Sequence, residues 1–271
     1  MIVMYAYADG AGAPGRLYGV AAFLARANEW TGLEAAWHRH LNRMDPPLDI
    51  FHMTDFIAAK REPYITWKRT GQDKRLITAL VRTIAEHVDY GCAAVLLPDG
   101  YQALLTGHAE RAAEEGWSLG DNPYALCADL CLGLLNLRLE STGRTSRRVA
   151  CVFEAGDKGQ GEWRASVETI LGQSQKYRED HRIIALTTAS KRDAPALQTA
   201  DLLAYEYTHC RADLGKYTDR LRALASLDLR SLYANKEFVD RATAGYTETV
   251  VADLVREYGM RRPQRKRGPA T

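Results

Sequence analysis

No apolar run in this 271-residue chain is long and clean enough to cross a bilayer. The nearest approaches, residues 124–139 and 2–8, are interrupted or short, and no basic region precedes a hydrophobic one at the start, so no anchor, leader or membrane partner is expected. The five cysteines, Cys92, Cys127, Cys131, Cys151 and Cys210, are odd in number and scattered through apolar sequence, which excludes a disulfide framework and suits buried thiols in a reducing, cytoplasmic compartment. Cys127 and Cys131 stand one helical turn apart without a Cys-x-x-Cys or His-x-x-x-His partner, so core packing is expected of them rather than zinc. Equally absent are His-Glu-x-x-His, Gly-x-Ser-x-Gly and a Gly-Lys-Ser/Thr phosphate loop, which removes the commonest metalloprotease, serine-hydrolase and nucleotide-triphosphatase readings.

Net charge is also small. The formal +2 rests on Arg261, Arg262, Arg265, Lys266 and Arg267; without these five, 31 of the 36 basic residues face 34 acidic ones, a net of −3. A broad polyanion-binding surface is therefore not written into the body. Affinity for nucleic acid has to come from local patches or from residues 259–271, which read as a solvated, disordered basic tail.

What is present is an alternation of strand and helix patterns. Residues 2–8 form a continuous apolar run suited to a strand buried on both faces, and it halts at Asp9. A Gly/Pro turn leads to a returning strand over 17–25. Helices are expected over 30–44, where Leu33, Trp37 and Leu41 share a face, and over 72–88, with strands over 49–52 and 90–97 and a polar, aromatic-bearing insertion at about 53–70. Residues 124–139 are apolar almost all round, the mark of a helix buried inside a fold. A second fully apolar strand, 149–153, ends in Glu154. A helix over 159–176, a strand over 183–187, a helix over 196–211 and a C-terminal helix over 238–258 complete the series. Val239, Ala242, Tyr246, Val250 and Leu254 give the last helix an apolar stripe that packs on its own domain or on a second copy, so an oligomer is possible there. With no internal repeat and no long linker, one α/β domain is expected over 1–258, its mixed sheet opening antiparallel and continuing parallel, with helices on both faces and inserted helices.

Gly10-Ala-Gly12-Ala-Pro-Gly15 fits the dinucleotide-binding string G-x-G-x-x-G, but the third glycine has to open a helix, and here a strand follows. The informative pattern is the pair of buried strands that run out into carboxylates, Asp9 and Glu154. If the strands are parallel neighbours, both acids emerge at one edge of the sheet, where an ionised group is costly unless it is paired, shares a proton or binds a cation. Either acid alone reads equally as a polar stop. Asp201 adds to the pattern, because helical spacing puts it on a mainly apolar face with Leu197, Gln198, Ala204 and Tyr205, where it must be satisfied by a cation, a cap or a basic side chain. Its spacing alone leaves functional and structural roles open.

Tyr7-Ala8-Asp9-Gly10-Ala11-Gly12 resembles the strand-terminal Tyr-x-Asp-Glu-Ser-Gly signature of the prokaryotic domain-of-unknown-function family 3800. The segment from Ala196 to Tyr205, with Leu197-Gln198-Thr199-Ala200-Asp201-Leu202, resembles that family's Leu-Gln-x-Ala-Asp-Leu helix, and His52 looks like its histidine after the third strand. The likeness runs in order over nearly the whole chain. It implies a ribonuclease H-like fold with a pair of carboxylate-held Mg²⁺ or Mn²⁺ ions cutting a phosphodiester, Asp9, Glu154 and Asp201 serving as catalytic metal ligands. This chain departs from the pattern at Gly10 and Ala11, where the family has Glu and Ser, so one acidic ligand is missing; Asp157 is a candidate replacement and otherwise a turn residue. Gln198 and His52 are secondary catalytic candidates, for orienting a ligand or water, although a lone histidine is often structural.

The leading expectation is a divalent-metal-dependent nuclease or related phosphoryl-transfer enzyme acting on DNA or RNA, since two ions about 4 Å apart on shared carboxylates activate water and stabilise the leaving oxygen. The alternatives are a ribonuclease H-like binding or regulatory module that has lost catalysis, for which Gly10 and Ala11 speak, and a metal-free acid/base hydrolase using paired carboxylates.

Overall fold

The computed structural model describes residues 3–12, 17–103, 123–143, 147–156, 160–161, 164–165, 182–209, 218–224 and 227–244. Its frame is one six-stranded mixed sheet. β1 (Val3–Gly12), β2 (Tyr18–Arg26) and β3 (Tyr90–Leu96) form an antiparallel meander; β4 (Arg148–Glu154) and β5 (Ile183–Ala189) add in parallel beyond β1, and β6 (Asp228–Ala234) adds in parallel beyond β3, giving the order β5-β4-β1-β2-β3-β6.

Period-two alternation sorts the side chains to the two faces. Met4, Ala6 and Ala8 of β1 and Val149, Cys151 and Phe153 of β4 pack with helix α5 (Pro123–Ser141), whose almost unbroken apolar surface is thereby explained: it lies buried on the sheet. The opposite face is covered by α1 (Ala27–Asn42), α4 (Gln72–His87) and α6 (Leu197–His209), packed on Ala21, Phe23, Ala25, Ala93 and Val95. The short helices α2 (Met53–Ala58) and α3 (Tyr64–Thr70) form the insertion. Its aromatics are internal: Trp37, Phe51, Phe56, Tyr64 and Trp67 meet in a chain of edge-to-face and tilted contacts with centroids 5.3–6.2 Å apart, and Trp67 Nε1 donates to the Asp45 carbonyl at 2.9 Å. Tyr64 and Trp67 are thus core, not a stacking platform for bases.

Three expectations are corrected. The first strand does not halt at Asp9 but continues to Gly12, because β2 keeps pairing with it: Asp9 lies opposite Ala21 and Gly12 opposite Tyr18. Residues 49–52 are no strand: the Phe51 amide bonds to the Gln198 side chain and the His52 carbonyl accepts from the Phe56 amide. β6 was not anticipated at all. A short helix, α7 (Asp219–Ala223), precedes β6, and of the expected C-terminal helix over 238–258 only the start is described, as α8 (Lys236–Ala244), with Phe238 and Val239 in the α5 core. Tyr246, Val250, Leu254, the basic tail, Gly15, Asp157, Cys210 and most of the expected helix over 159–176 lie outside the described residues. Among the described cysteines, Cys92, Cys127, Cys131 and Cys151 are free and buried. No helix among the described residues is long and apolar enough to cross a membrane.

Candidate functional site

The parallel half of the sheet sets the site. β1 and β4 run in register from Val3 opposite Arg148 to Ala8 opposite Phe153, so the next residue of each strand, Asp9 and Glu154, comes at the same carboxyl edge. Parity turns both away from the α5 core, because the residues before them, Ala8 and Phe153, belong to it. On that other face lies α6, and Asp201, in the helix's second turn, points back toward the strand ends. β5 terminates at the same edge and delivers Lys191 two residues beyond its last strand residue. Ligand sites of open α/β sheets sit at such an edge.

The three acids meet at one point, and the point is the Lys191 ammonium. Its Nζ lies 2.6 Å from Glu154 Oε2, 2.9 Å from Asp9 Oδ2 and 3.3 Å from Asp201 Oδ1, with only 5% of the side chain exposed. His52, on the solvent side, places Nδ1 3.5 Å from the same ammonium and 3.7 Å from Asp201 Oδ2. Asp201 Oδ2 also accepts from the Met53 amide at 2.7 Å, and Asp9 Oδ1 from the Gly10 amide at 2.7 Å.

Asp9 Oδ2 is different. It is fully buried, and although Lys191 Nζ stands within contact distance, the approach lies off the direction of a hydrogen bond, so this oxygen has charge nearby but no well-directed donor. A directed partner arises only when one carboxyl of the Asp9–Glu154 pair keeps a proton. The electrostatics agree: burial pushes the Asp9 carboxyl well above the usual carboxylate range, a hydrogen bond with Glu154 adds to this, and Lys191 offsets only part. Burial also disfavours ionised Glu154, but the hydrogen bond with Asp9 and the Lys191 charge outweigh it and hold Glu154 below the ordinary value. Burial works against charged Lys191, and the three carboxylates overturn that and raise its pKa. The site as it stands favours a proton on Asp9 over one on Glu154, with Lys191 as the neutralising cation.

Gln198 organises the surroundings. Its buried Oε1 accepts from Trp37 Nε1 at 2.9 Å and from the Phe51 amide at 2.8 Å, while Nε2 donates to the Lys191 carbonyl at 3.1 Å. The amide is committed to the polypeptide. It ties α1, the segment leading to His52 and the loop carrying Lys191 to α6, so Gln198 is a positioning residue. Tyr64 closes the far side; burial pushes its phenol up to about 12, opposed in part by a hydrogen bond with the His52 backbone. A cavity of about 530 Å³ opens beside the cluster, lined among others by His52, Arg61, Tyr64, Glu154, Lys191 and Arg192, a size that takes one small ligand or a single nucleotide-sized unit, within the usual range of about 300–1,000 Å³.

The donor set suits a hard divalent cation: carboxylate oxygens from three elements, one of them buried without a directed partner. As they stand, no three His, Cys, Asp or Glu side chains among the described residues have metal-holding geometry. The Lys191 ammonium occupies the point where the three carboxylates converge, so these acids would take a cation only in its place. Of the anticipated residues, Asp9, Glu154, Asp201 and His52 are brought together, Gln198 lies directly behind them, and Asp157 is outside the described residues. Lys191 was missed. It stands in a polar turn beyond β5, where no break in an apolar pattern singles it out. No family model matches the chain, and no curated protein matches it significantly.

Proposed function

We propose that the chain is a divalent-metal-dependent phosphodiester hydrolase on a ribonuclease H-like domain, with nucleic acid as substrate. The observation that carries this reading is the convergence of Asp9, Glu154 and Asp201, from two strands just past their last parallel pair and from a helix, on one point with a buried carboxylate oxygen lacking a directed donor. The strand order supports the finer fold assignment, an antiparallel opening meander with β4 and β5 parallel to its first strand being the arrangement of a ribonuclease H-like sheet; β6 is an addition. The likeness of the Asp9 and Gln198–Asp201 segments to family 3800 points the same way.

Asp9, Glu154 and Asp201 would hold Mg²⁺ or Mn²⁺, which supplies Lewis-acid activation of water and stabilisation of the leaving oxygen. The chain's own residues do the rest. The Met53 amide fixes the Asp201 carboxylate. Gln198 holds the two flanking loops in place. His52, with 43% of its side chain exposed at the cavity, is placed to exchange a proton with bound substrate or water. Arg61 and Arg192 put positive charge on the cavity wall, where a phosphodiester has to enter.

The test is a cleavage panel of single-stranded, duplex and hybrid substrates with Mn²⁺, comparing wild type with Asp9→Asn and Asp201→Asn, read beside a Mn²⁺ thermal-shift titration. Cleavage by wild type alone, with a metal-dependent rise in melting temperature, supports the reading. Equal activity in all three proteins removes the site assignment. A second reading, a ribonuclease H-like binding module without catalysis, is favoured by the Lys191 ammonium at the point of convergence and by Gly10 and Ala11; it predicts neither cleavage nor a metal-induced shift.

A further inference from the structure

We propose that Lys191 is a tethered cation that competes with the divalent ion for Asp9, Glu154 and Asp201 and, when displaced, turns into the adjoining cavity to contact a substrate phosphate. The inference rests on reading these carboxylates as metal ligands, and it adds a phosphate-binding residue and a built-in competitor to that site. Its basis is geometric. Nζ contacts all three carboxylates at 2.6–3.3 Å and is nearly sealed from solvent, so an ion held by the same oxygens and the ammonium exclude each other by position and by like charge.

Displacement has a route. The Lys191 backbone is pinned by its carbonyl to Gln198 Nε2, whereas the side chain is a flexible four-carbon stem bearing a compact charge. The same residue lines the cavity of about 530 Å³, whose wall carries His52, Arg61 and Arg192 beside Asp55, Glu62 and Glu154, so side-chain rotation alone takes the ammonium from the acid cluster to a wall of mixed charge. Arg61 is partly neutralised there by Asp55, with which it forms a close ion pair. A bound phosphate compensates the accumulation of positive charge that the displaced lysine creates, which couples occupancy of the metal position to capture of the anion.

The test is calorimetric titration of chelator-treated full chain with Mn²⁺, for wild type, Lys191→Met and Lys191→Arg, followed by titration of the Mn²⁺-saturated proteins with a nucleoside 5′-monophosphate. Lys191→Met is expected to bind Mn²⁺ at least about tenfold more tightly than wild type, and its Mn²⁺-loaded form to bind the monophosphate at least about tenfold more weakly. Lys191→Arg, which keeps the charge, is expected to show no tightening. Lys191→Gln stands in if the methionine variant does not fold without metal. Mn²⁺ affinity unchanged or reduced on loss of the charge overturns the competition while leaving the metal site standing. Unchanged monophosphate affinity overturns the phosphate contact. Absence of Mn²⁺ binding in wild type and every variant overturns the inference together with the metal-dependent reading.

Discussion

Gln198→Ala is expected to be among the most damaging single truncations near the site, and the size of the effect follows from its three contacts. The wild-type amide joins residues 161, 147 and 7 positions away along the chain. Its removal leaves the Trp37 indole N–H and the Phe51 backbone N–H as buried donors without a partner, and the Lys191 carbonyl short of one bond. A stranded buried donor costs about 1–3 kcal/mol, so the two together cost about 2–6 kcal/mol. Water entering the space vacated by the amide recovers part of this, which puts the expected loss at about 2–4 kcal/mol. Against a total stability of about 5–15 kcal/mol, and with about 2–4 °C of melting temperature per kcal/mol for a chain of this size, the metal-free protein should melt roughly 4–16 °C lower. The assay is a denaturation melt of wild type, Gln198→Ala, Trp37→Phe and the double variant. Trp37→Phe removes one donor together with its bond and strands nothing, so it should cost less than Gln198→Ala, and the double variant should cost less than the sum of the singles. A Gln198→Ala protein melting within about 1–2 °C of wild type, or strictly additive singles, would refute the claim that this amide holds the loops around the site.

Other outcomes follow from the same contacts. Asp9 has its pKa raised by burial, so the stability it contributes is complete below the ordinary aspartate value and is lost as pH rises through the raised one. Asp9→Asn imitates the protonated form, can still accept from the Gly10 amide, and abolishes that loss: in metal-free protein the melting-temperature difference, variant minus wild type, should grow as pH increases, and a difference independent of pH would contradict the raised value. Glu154 carries the opposite sign, because its depressed pKa gives stability present above the ordinary glutamate value and lost as pH falls through the lowered one; Glu154→Gln should flatten the acid limb of the same melting profile. Gly12→Ala should destabilise by at least about 1–3 kcal/mol in chemical denaturation, since φ is +114° there and a Cβ would stand 2.1 Å from the Leu17 carbonyl oxygen. An alanine variant of wild-type stability would show that the hairpin closes differently. That glycine therefore serves the β1–β2 turn, in keeping with the rejection of a dinucleotide-binding loop.

The parts of the fold that were legible are those whose pattern and environment agree. β3 is buried on both faces and β1 and β4 alternate buried with half-buried positions, so their unbroken apolar runs read as strands; α5 is apolar all round because it lies buried on the sheet. β6 was illegible for the complementary reason. Its sequence, Asp-Leu-Arg-Ser-Leu-Tyr-Ala, carries charge at positions satisfied only in three dimensions, Asp228 pairing at 2.6 Å with Arg138 of α5. Residues 49–52 failed in the other direction: they look like a strand, yet the Phe51 and Met53 amides are claimed by the Gln198 and Asp201 side chains, so no ladder forms. Local sequence holds no trace of a partner 147 or 148 residues away.

The candidate site divides along the same line. Asp9 and Glu154 stand out because each ends an apolar run, and Asp201 because an acid interrupts an apolar helical face, so the cost of a desolvated carboxylate is visible in one dimension. Lys191 carries no such cost in the sequence. It lies in Ser190-Lys191-Arg192-Asp193, a polar turn in which the Ser190 hydroxyl donates to Asp193 at 2.6 Å, and beside an arginine nothing marks its ammonium as the one that turns inward. What buries it is the demand of the three acids rather than any preference of its own. The asymmetry has a consequence for the chemistry: the carboxylates are fixed by strand ends, helix and backbone amides, while their counter-charge sits on the one flexible side chain among them. The proposed exchange of that ammonium for a divalent ion would leave the oxygen donors in place, and the reading as a metal-dependent hydrolase depends on it.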